Sequence, residues 1–304
     1  MDSLLMTRID RFAKWICKTT YRLTHTHQYK HNKNLWPYFK VERTPAGTIE
    51  AVYFKHKKIN TVAVDRVERS KPLVIMATGP SVNNIEPSFF NDRFDYLGVN
   101  GALSMPSVSF SWYVIIDRNF VIKRLELVKS LVARADMIVF CAYTSLESIC
   151  SYIPWDEIRC QFKIFETSSS TRIRRFMEPT MAIEPNDEHY YWYNEIGFSD
   201  DLDRCLFDYG TVAYPALQIA CILGYKEIYI AGLDMNNFST PRFYETPEDK
   251  LSTRLDLDFD DISRSFDTAQ SYCKKNNIRV INLSPTSAIN AFPKLNWDRV
   301  DKSA

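Results

Sequence analysis

Leu73-Val74-Ile75-Met76-Ala77 runs directly into Thr78-Gly79-Pro80-Ser81. Five consecutive apolar residues stopped by a Gly-Pro turn describe a strand buried on both faces, and such strands belong to parallel sheets covered by helices. The same pattern recurs along the chain. Tyr96-Leu97-Gly98-Val99 stops at Asn100-Gly101, and Trp112-Tyr113-Val114-Ile115-Ile116 stops at Asp117-Arg118-Asn119. A helix expected over 120–134 leads to Met137-Ile138-Val139-Phe140. A second helix, 211–223, precedes Glu227-Ile228-Tyr229-Ile230-Ala231, which stops at Gly232-Leu233-Asp234. A third, near 261–276, precedes Arg279-Val280-Ile281-Asn282-Leu283, which stops at Ser284-Pro285. Strand–helix alternation of this kind predicts a single Rossmann-like α/β domain over 71–304, a mainly parallel sheet with helices on both faces.

Two stretches interrupt the alternation. Residues 166–206, polar and aromatic, are expected to form an insertion or small lid, and 236–260, rich in Asn, Pro and Asp, reads as loop. Composition bounds the rest. The chain has 304 residues, 45% apolar and 25% charged, which excludes a disordered or fibrous protein. A net charge of +1 excludes the globally basic surface of a nucleic-acid binder. The seven cysteines include no C-x-x-C pair, so reduced thiols are expected rather than zinc or disulfides. There are only 8 glycines, against roughly 21 at average usage of about 7%. Gly79, Gly98, Gly101 and Gly232 all fall on or beside strand ends.

Residues 1–70 carry 14 Lys/Arg against 6 Asp/Glu and form a basic extension. Leu5, Ile9, Phe12 and Ile16 recur at helical spacing beside Trp15, with Arg8, Arg11, Lys14, Lys18 and Arg22 largely off that stripe. An apolar face with basic flanks suits an anionic membrane surface, reached through residues 1–23. The alternative is a helix packed on its own domain or on a second copy in a homo-oligomer. No apolar run is long enough to span a bilayer, and charges interrupt any secretory-type segment.

In a parallel open sheet, ligands bind outside the carboxyl ends of the strands. The Thr78-Gly79-Pro80-Ser81 turn lets backbone approach a ligand closely and offers a hydroxyl at Ser81. It is neither G-x-G-x-x-G nor G-x-x-x-x-G-K-[ST], so dinucleotide and P-loop chemistry lack support. Asp256-Leu257-Asp258 and Asp201-Leu202-Asp203 are D-x-D triplets, the pattern with which some nucleotide-sugar transferases hold a divalent cation.

Several pieces, in order, resemble the bacterial sialyltransferases that use a CMP-activated sugar, typified by the Campylobacter lipooligosaccharide enzymes. They are Ala77-Thr78-Gly79-Pro80-Ser81, Val99-Asn100-Gly101, Thr211 at the start of the helix to Leu223-Gly224-Tyr225-Lys226-Glu227-Ile228-Tyr229, Ala231-Gly232-Leu233-Asp234, and Leu283-Ser284-Pro285-Thr286-Ser287. The chain is also similar to the lipopolysaccharide core enzymes proposed to add Kdo, another CMP-activated 2-keto sugar acid. The resemblance covers roughly 72–295. It implies a GT-A-like variant of the fold and a metal-free site with no cofactor beyond the CMP-sugar donor. Donor contacts would fall to Thr78, Gly79, Ser81, Asn100, Gly101, Asp117, Asn119, Thr211, Gly232, Asp234, Ser284 and Ser287. Tyr244, in the loop after the Gly-x-Asp turn, would assist the leaving phosphate.

Two departures stand out. The family's Asn at the first turn is Thr78 here, and its histidine base has no partner. The place of that histidine falls on or near Asp260, within Asp256-Leu257-Asp258-Phe259-Asp260-Asp261, where a carboxylate can do the same work. The same acids also suit the N-terminus of the following helix. His189 is the rival base. The resemblance thus implies an inverting transferase moving Kdo, with sialic acid next, onto a lipid-linked oligosaccharide at the cytoplasmic face of a bacterial inner membrane. The alternatives are a non-catalytic glycan- or nucleotide-binding protein and a metal-dependent UDP- or GDP-sugar transferase.

Overall fold

The computed structural model describes residues 8–302 apart from 170, 185 and 237. Helix α1 (Arg8–Thr24) and a 3₁₀ segment lead into a small antiparallel sheet of β1 (Phe39–Arg43), β2 (Ile49–Phe54) and β3 (Lys57–Lys58). The main sheet then begins with β4 (Leu73–Met76), β5 (Asp95–Val99) and β6 (Trp112–Ile115). Helices α2 (Arg118–Lys123) and α3 (Leu125–Val132) cross to β7 (Ile138–Ala142), and α4 (Tyr143–Tyr152) crosses to β8 (Gln161–Phe165). Six short strands follow: β9 (Thr167–Ser168), β10 (Arg172–Ile173), β11 (Met181–Ala182), β12 (Tyr191–Tyr193), β13 (Ile196–Phe198) and β14 (Leu206–Phe207). Helix α5 (Ala213–Ile222), β15 (Glu227–Ala231), α6 (Phe259–Lys275) and β16 (Arg279–Asn282) complete the main layer.

Seven strands form one parallel sheet in the order β16-β15-β4-β5-β6-β7-β8. Alternate residues of each strand face opposite sides, and both sides are apolar. Leu73, Ile75, Leu97, Val99, Ile228 and Ile230 pack with α5 and α6. Val74, Met76, Tyr96, Tyr113, Tyr229 and Ile281 pack on the other face with α3, α4 and the β1–β2 hairpin. This is the α/β sheet the apolar runs predict.

Three details depart from the sequence reading. The single helix expected over 120–134 is two, divided at Arg124 (φ −122°, ψ 42°), whose guanidinium reaches the Asp249 carbonyl at 2.7 Å and carboxylate at 3.2 Å. Strand β8 adds a sheet edge beyond the six strands read from the sequence. The 166–206 insertion buries Ile173, Phe176, Ile183, Tyr190, Phe198 and Leu206 in the two cores, so it is packed onto the domain rather than hung beside it. Arg43 on β1 pairs with its buried Glu166 at 2.5 Å, fastening hairpin to insertion.

Helix α1 is seated by Tyr21, which is buried, and by Lys14, paired with Glu147 at 3.0 Å. Ile16 and Leu23 are exposed. Of the apolar stripe expected there, Leu5 and the side chains of Ile9 and Phe12 lie outside the described residues. Among the described residues, no helix is long and apolar enough to cross a membrane.

Candidate active site

The chain leaves β4 toward β5 and β8 on one side, while β15 and β16 lie on the other. A parallel sheet whose order reverses in this way opens a crevice at the carboxyl ends of the two strands that meet there. Here those strands are β4 and β15. A cavity occupies that position, lined by Ala77–Pro80 after β4, Val99 and Asn100 after β5, and Gly232–Met235 after β15. The first residues of α5, Thr211-Val212-Ala213, form a further wall, and the covering loop adds Phe238, Arg242 and Lys250. The helix N-terminus and the Lys250 ammonium favour an anionic ligand.

The β4–β15 seam continues into the turns. Ala77 N–H donates to Ala231 O at 2.9 Å, and Gly79 N–H donates to Gly232 O at 3.0 Å. Gly232 holds φ +75°, and a side chain on Gly79 would collide with the Asp234 carboxylate and the Gly232 carbonyl. Both positions require glycine. The Asp234 carboxylate accepts from Ser81 N–H at 2.9 Å and from the Ser81 hydroxyl, which also meets the Ser284 hydroxyl at 2.7 Å. Ser287 accepts from Ile289 N–H at 3.1 Å, and Ala288 N–H donates to Asp234 O at 2.7 Å. Ser81, Ser284 and Ser287 therefore stand behind the cavity wall and brace the Asp234 turn.

The opposite wall is built differently. Asn100 sits in the left-handed region (φ +46°), its carbonyl held by the hydroxyl of fully buried Tyr113 at 2.6 Å. Burial pushes the Tyr113 phenol well up, so it stays a donor. The side-chain oxygen of Asn100 is buried with no hydrogen-bond partner. A buried acceptor left unpaired costs about 1–3 kcal/mol, so its place on a cavity wall points to a ligand donor. Asn100 also lines a second cavity, together with Asp117, Asn119, Lys123, Tyr244 and Lys250. Asp117 caps α2 by accepting from Asn119 N–H at 2.7 Å. The Tyr244 ring lies over Gly101, where a side chain would overlap it, and burial raises its phenol to about 12. That phenol remains protonated and can donate.

Of the residues singled out from the sequence, Thr78, Gly79, Asn100, Thr211, Gly232 and Asp234 line the crevice. Asp117, Asn119 and Tyr244 line the adjoining cavity. Neither expected base lines either one. Asp260 is exposed on the first turn of α6, and His189 is exposed in the insertion, its N–H donating to Asp187 at 3.0 Å. Three of the four D-x-D acids form ion pairs, Asp203 with Lys163 at 2.7 Å, Asp201 with Arg204 at 3.4 Å and Asp258 with Arg254 at 3.6 Å, and Asp256 is exposed. Among the described residues no group of three or more His, Cys, Asp or Glu is placed to hold a metal ion.

Sequence reasoning overlooked Arg242 and Lys250. The covering loop is organised around the buried Glu245 carboxylate, which holds Arg242 at 2.8 Å, while the Lys250 ammonium donates to the carbonyls of Phe238 and Ser239 at 2.8 Å each. Phe243 N–H donates to Thr78 O at 3.2 Å and ties the loop to the first turn. A stretch rich in Asn, Pro and Asp carries no periodicity that would announce these contacts.

Residues 193–294 match the model of the 3-deoxy-D-manno-octulosonic acid transferase WaaZ family. The chain is 33% identical over 95 residues to a Salmonella typhimurium protein described as "Probable 3-deoxy-manno-octulosonic acid transferase", covering 31% of this chain and 34% of that one. It thus spans about a third of the length of the curated relative it matches. Among solved structures it is similar to the monofunctional alpha-2,3-sialyltransferase Cst-I of Campylobacter jejuni (16% identity, 77% of this chain and 84% of that one, TM-score 0.44). It is also similar to the sialyltransferase CstII of the same organism in complex with cytidine-5'-monophosphate (15% identity, 75% and 86%, TM-score 0.41).

Proposed function

We propose that the protein is an inverting glycosyltransferase that moves a CMP-activated ulosonic acid, Kdo ahead of sialic acid, onto a lipopolysaccharide-core or other lipid-linked acceptor. One coincidence carries this reading: the segment similar to the Kdo transferase family, 193–294, also supplies the α5 N-terminus, the Gly232–Asp234 turn and the covering loop of the switch-point crevice. A CMP-ulosonic acid is dianionic, with a carboxylate and one phosphodiester. The helix N-terminus and Lys250 offer positive potential for both, and Tyr244 offers a proton donor for the departing phosphate. In this reading no metal is needed, because the leaving group carries a single phosphate. Membrane attachment would come from α1, where exposed Ile16 and Leu23 accompany Lys18 and Arg22.

The test is CMP release from CMP-Kdo and from CMP-sialic acid with detergent-solubilised lipid-linked acceptor, with and without EDTA. Release that depends on acceptor, survives EDTA and is faster with CMP-Kdo is expected. Release only from UDP- or GDP-sugars, or only with added divalent cation, would contradict the proposal. A nucleotide-binding protein without turnover is the second reading, favoured by the position of Asp260 and His189 away from both cavities. Co-sedimentation with anionic but not neutral vesicles, weakened by Leu23→Glu, tests the membrane contact.

A further inference from the structure

A CMP-ulosonic acid carries its two negative charges on opposite sides of the glycosyl linkage, and the crevice is not the whole of the space at the sheet edge. The adjoining cavity meets it at Asn100, Arg242 and Lys250. We propose that this adjoining cavity takes the sugar half of the donor and that the Lys123 ammonium pairs with its carboxylate; the assignment rests on the CMP-sugar reading above.

The connectivity of the ligand sets the order of its parts. Nucleoside, phosphate and sugar are joined in series, so a nucleoside in the crevice puts its phosphate at one mouth and the sugar beyond. Tyr244, whose phenol can donate to that phosphate, lines the adjoining cavity and not the crevice. Lys250 lines both, so its ammonium stands where the phosphate passes from one to the other. A third cavity also meets the crevice at Lys250, but its wall is covering loop throughout. Among the described residues it adds the Asp256 carboxylate rather than a second cation. The cavity on the Tyr244 side is walled instead by the carboxyl ends of sheet strands, with Asn100 after β5 and Asp117 and Asn119 after β6.

The charged groups of that cavity are engaged unequally. Arg242 is neutralised by the Glu245 carboxylate at 2.8 Å, and Lys250 donates to two backbone carbonyls. Lys123, the last residue of α2, makes no hydrogen bond or ion pair among the described residues. Its ammonium can therefore take a ligand anion as a point-charge partner without breaking a contact within the protein. Asp117 is opposite in sign, and one of its oxygens accepts from Asn119 N–H at 2.7 Å, which leaves the other to accept from sugar hydroxyls. The unpaired Asn100 oxygen, buried at the junction, is a further acceptor for a hydroxyl. Hydroxyl acceptors beside an unpaired cation are the complement of a polyhydroxy acid.

The experiment is calorimetric titration of wild type, Lys123→Met and Lys123→Arg with CMP, CMP-Kdo and CMP-sialic acid. Lys123 is exposed, so both variants should fold. Lys123→Met should bind CMP within about twofold of wild type and both CMP-sugars about tenfold more weakly, because the lost partner is the carboxylate that the two donors share. Lys123→Arg, which keeps the charge, should recover most of that affinity. An equal loss for CMP and for the CMP-sugars, or no loss for any of them, would overturn the assignment. So would a loss confined to one donor, which would point to a ring hydroxyl instead. Wild type that binds neither CMP nor a CMP-sugar fails at the CMP-sugar reading and takes the assignment with it. Wild type that binds them all, with Lys123→Met unchanged toward the sugars, fails the assignment alone.

Discussion

The two walls of the crevice treat their polar groups in opposite ways. On the β15 side, Asp234, Ser81 and Ser284 answer one another, and each oxygen of the Asp234 carboxylate has a partner within the protein. On the β5 side, Asn100 leaves its side-chain oxygen unpaired. A satisfied network adds rigidity and fixes the shape of a turn; an unsatisfied one stores a cost that only a ligand or a proton can relieve. The first wall reads as scaffold and the second as chemistry, although both lie at the same sheet edge.

A separation that depends on pH comes from Asp208→Asn, near the start of α5, which should make the protein more stable at neutral pH. The sign follows from linkage. The folded carboxyl at about 6 lies above its ordinary 3.8, so its contribution to stability is fully present below pH about 4 and is lost as pH rises through about 6. At pH 8 the amide removes a half-buried, repelled charge and should raise stability by about 1–3 kcal/mol in urea denaturation; at pH 3.5 the two proteins should unfold together. A variant equally stable at both pH values would break the comparison.

Breaking the scaffold wall should show the reverse order. Asp234→Ala leaves the Ser81 donors behind Gly79 unpaired and is expected to cost about 2–4 kcal/mol in the same denaturation, with CMP affinity falling in step. Next comes Asn100→Gly, which keeps the left-handed backbone but deletes the unpaired oxygen. Stability should change by less than about 1 kcal/mol, while calorimetric affinity for the CMP-sugar falls about 10–100-fold. Asn100→Gly that weakens folding and leaves affinity intact would move Asn100 to the scaffold side.

What could be read from the chain divides along the same line. The six apolar runs beginning at Leu73, Tyr96, Trp112, Met137, Glu227 and Arg279 are strands because continuous apolar sequence has no other place in a helix-covered sheet. The turns that end the runs from Leu73, Tyr96, Glu227 and Arg279 line the crevice or brace its wall, which is why Gly79, Asn100, Gly232 and Asp234 were visible as candidates. Strand β8 escaped because Gln161-Phe162-Lys163-Ile164-Phe165 alternates, as an edge strand with one partly wetted face does. The raised Asp208 carboxyl escaped for a different reason. In Phe207-Asp208-Tyr209-Gly210 it reads as an ordinary turn acid, and what alters it is burial by the fold, to which Asp117 and Asp258 add like charge from distant parts of the chain. Burial created by tertiary packing leaves no local pattern.

The central claim is that the switch-point crevice holds a cytidine monophosphate sugar. It is tested most directly by thermal unfolding of wild type and Asn100→Gly with CMP, UDP, GDP and NAD⁺, each at a hundred times the Kd found for CMP. The account predicts stabilisation of wild type by CMP of about 2.7 kcal/mol, a smaller shift in Asn100→Gly, and little from the other three. Equal shifts with all four nucleotides, or none with CMP, would contradict it.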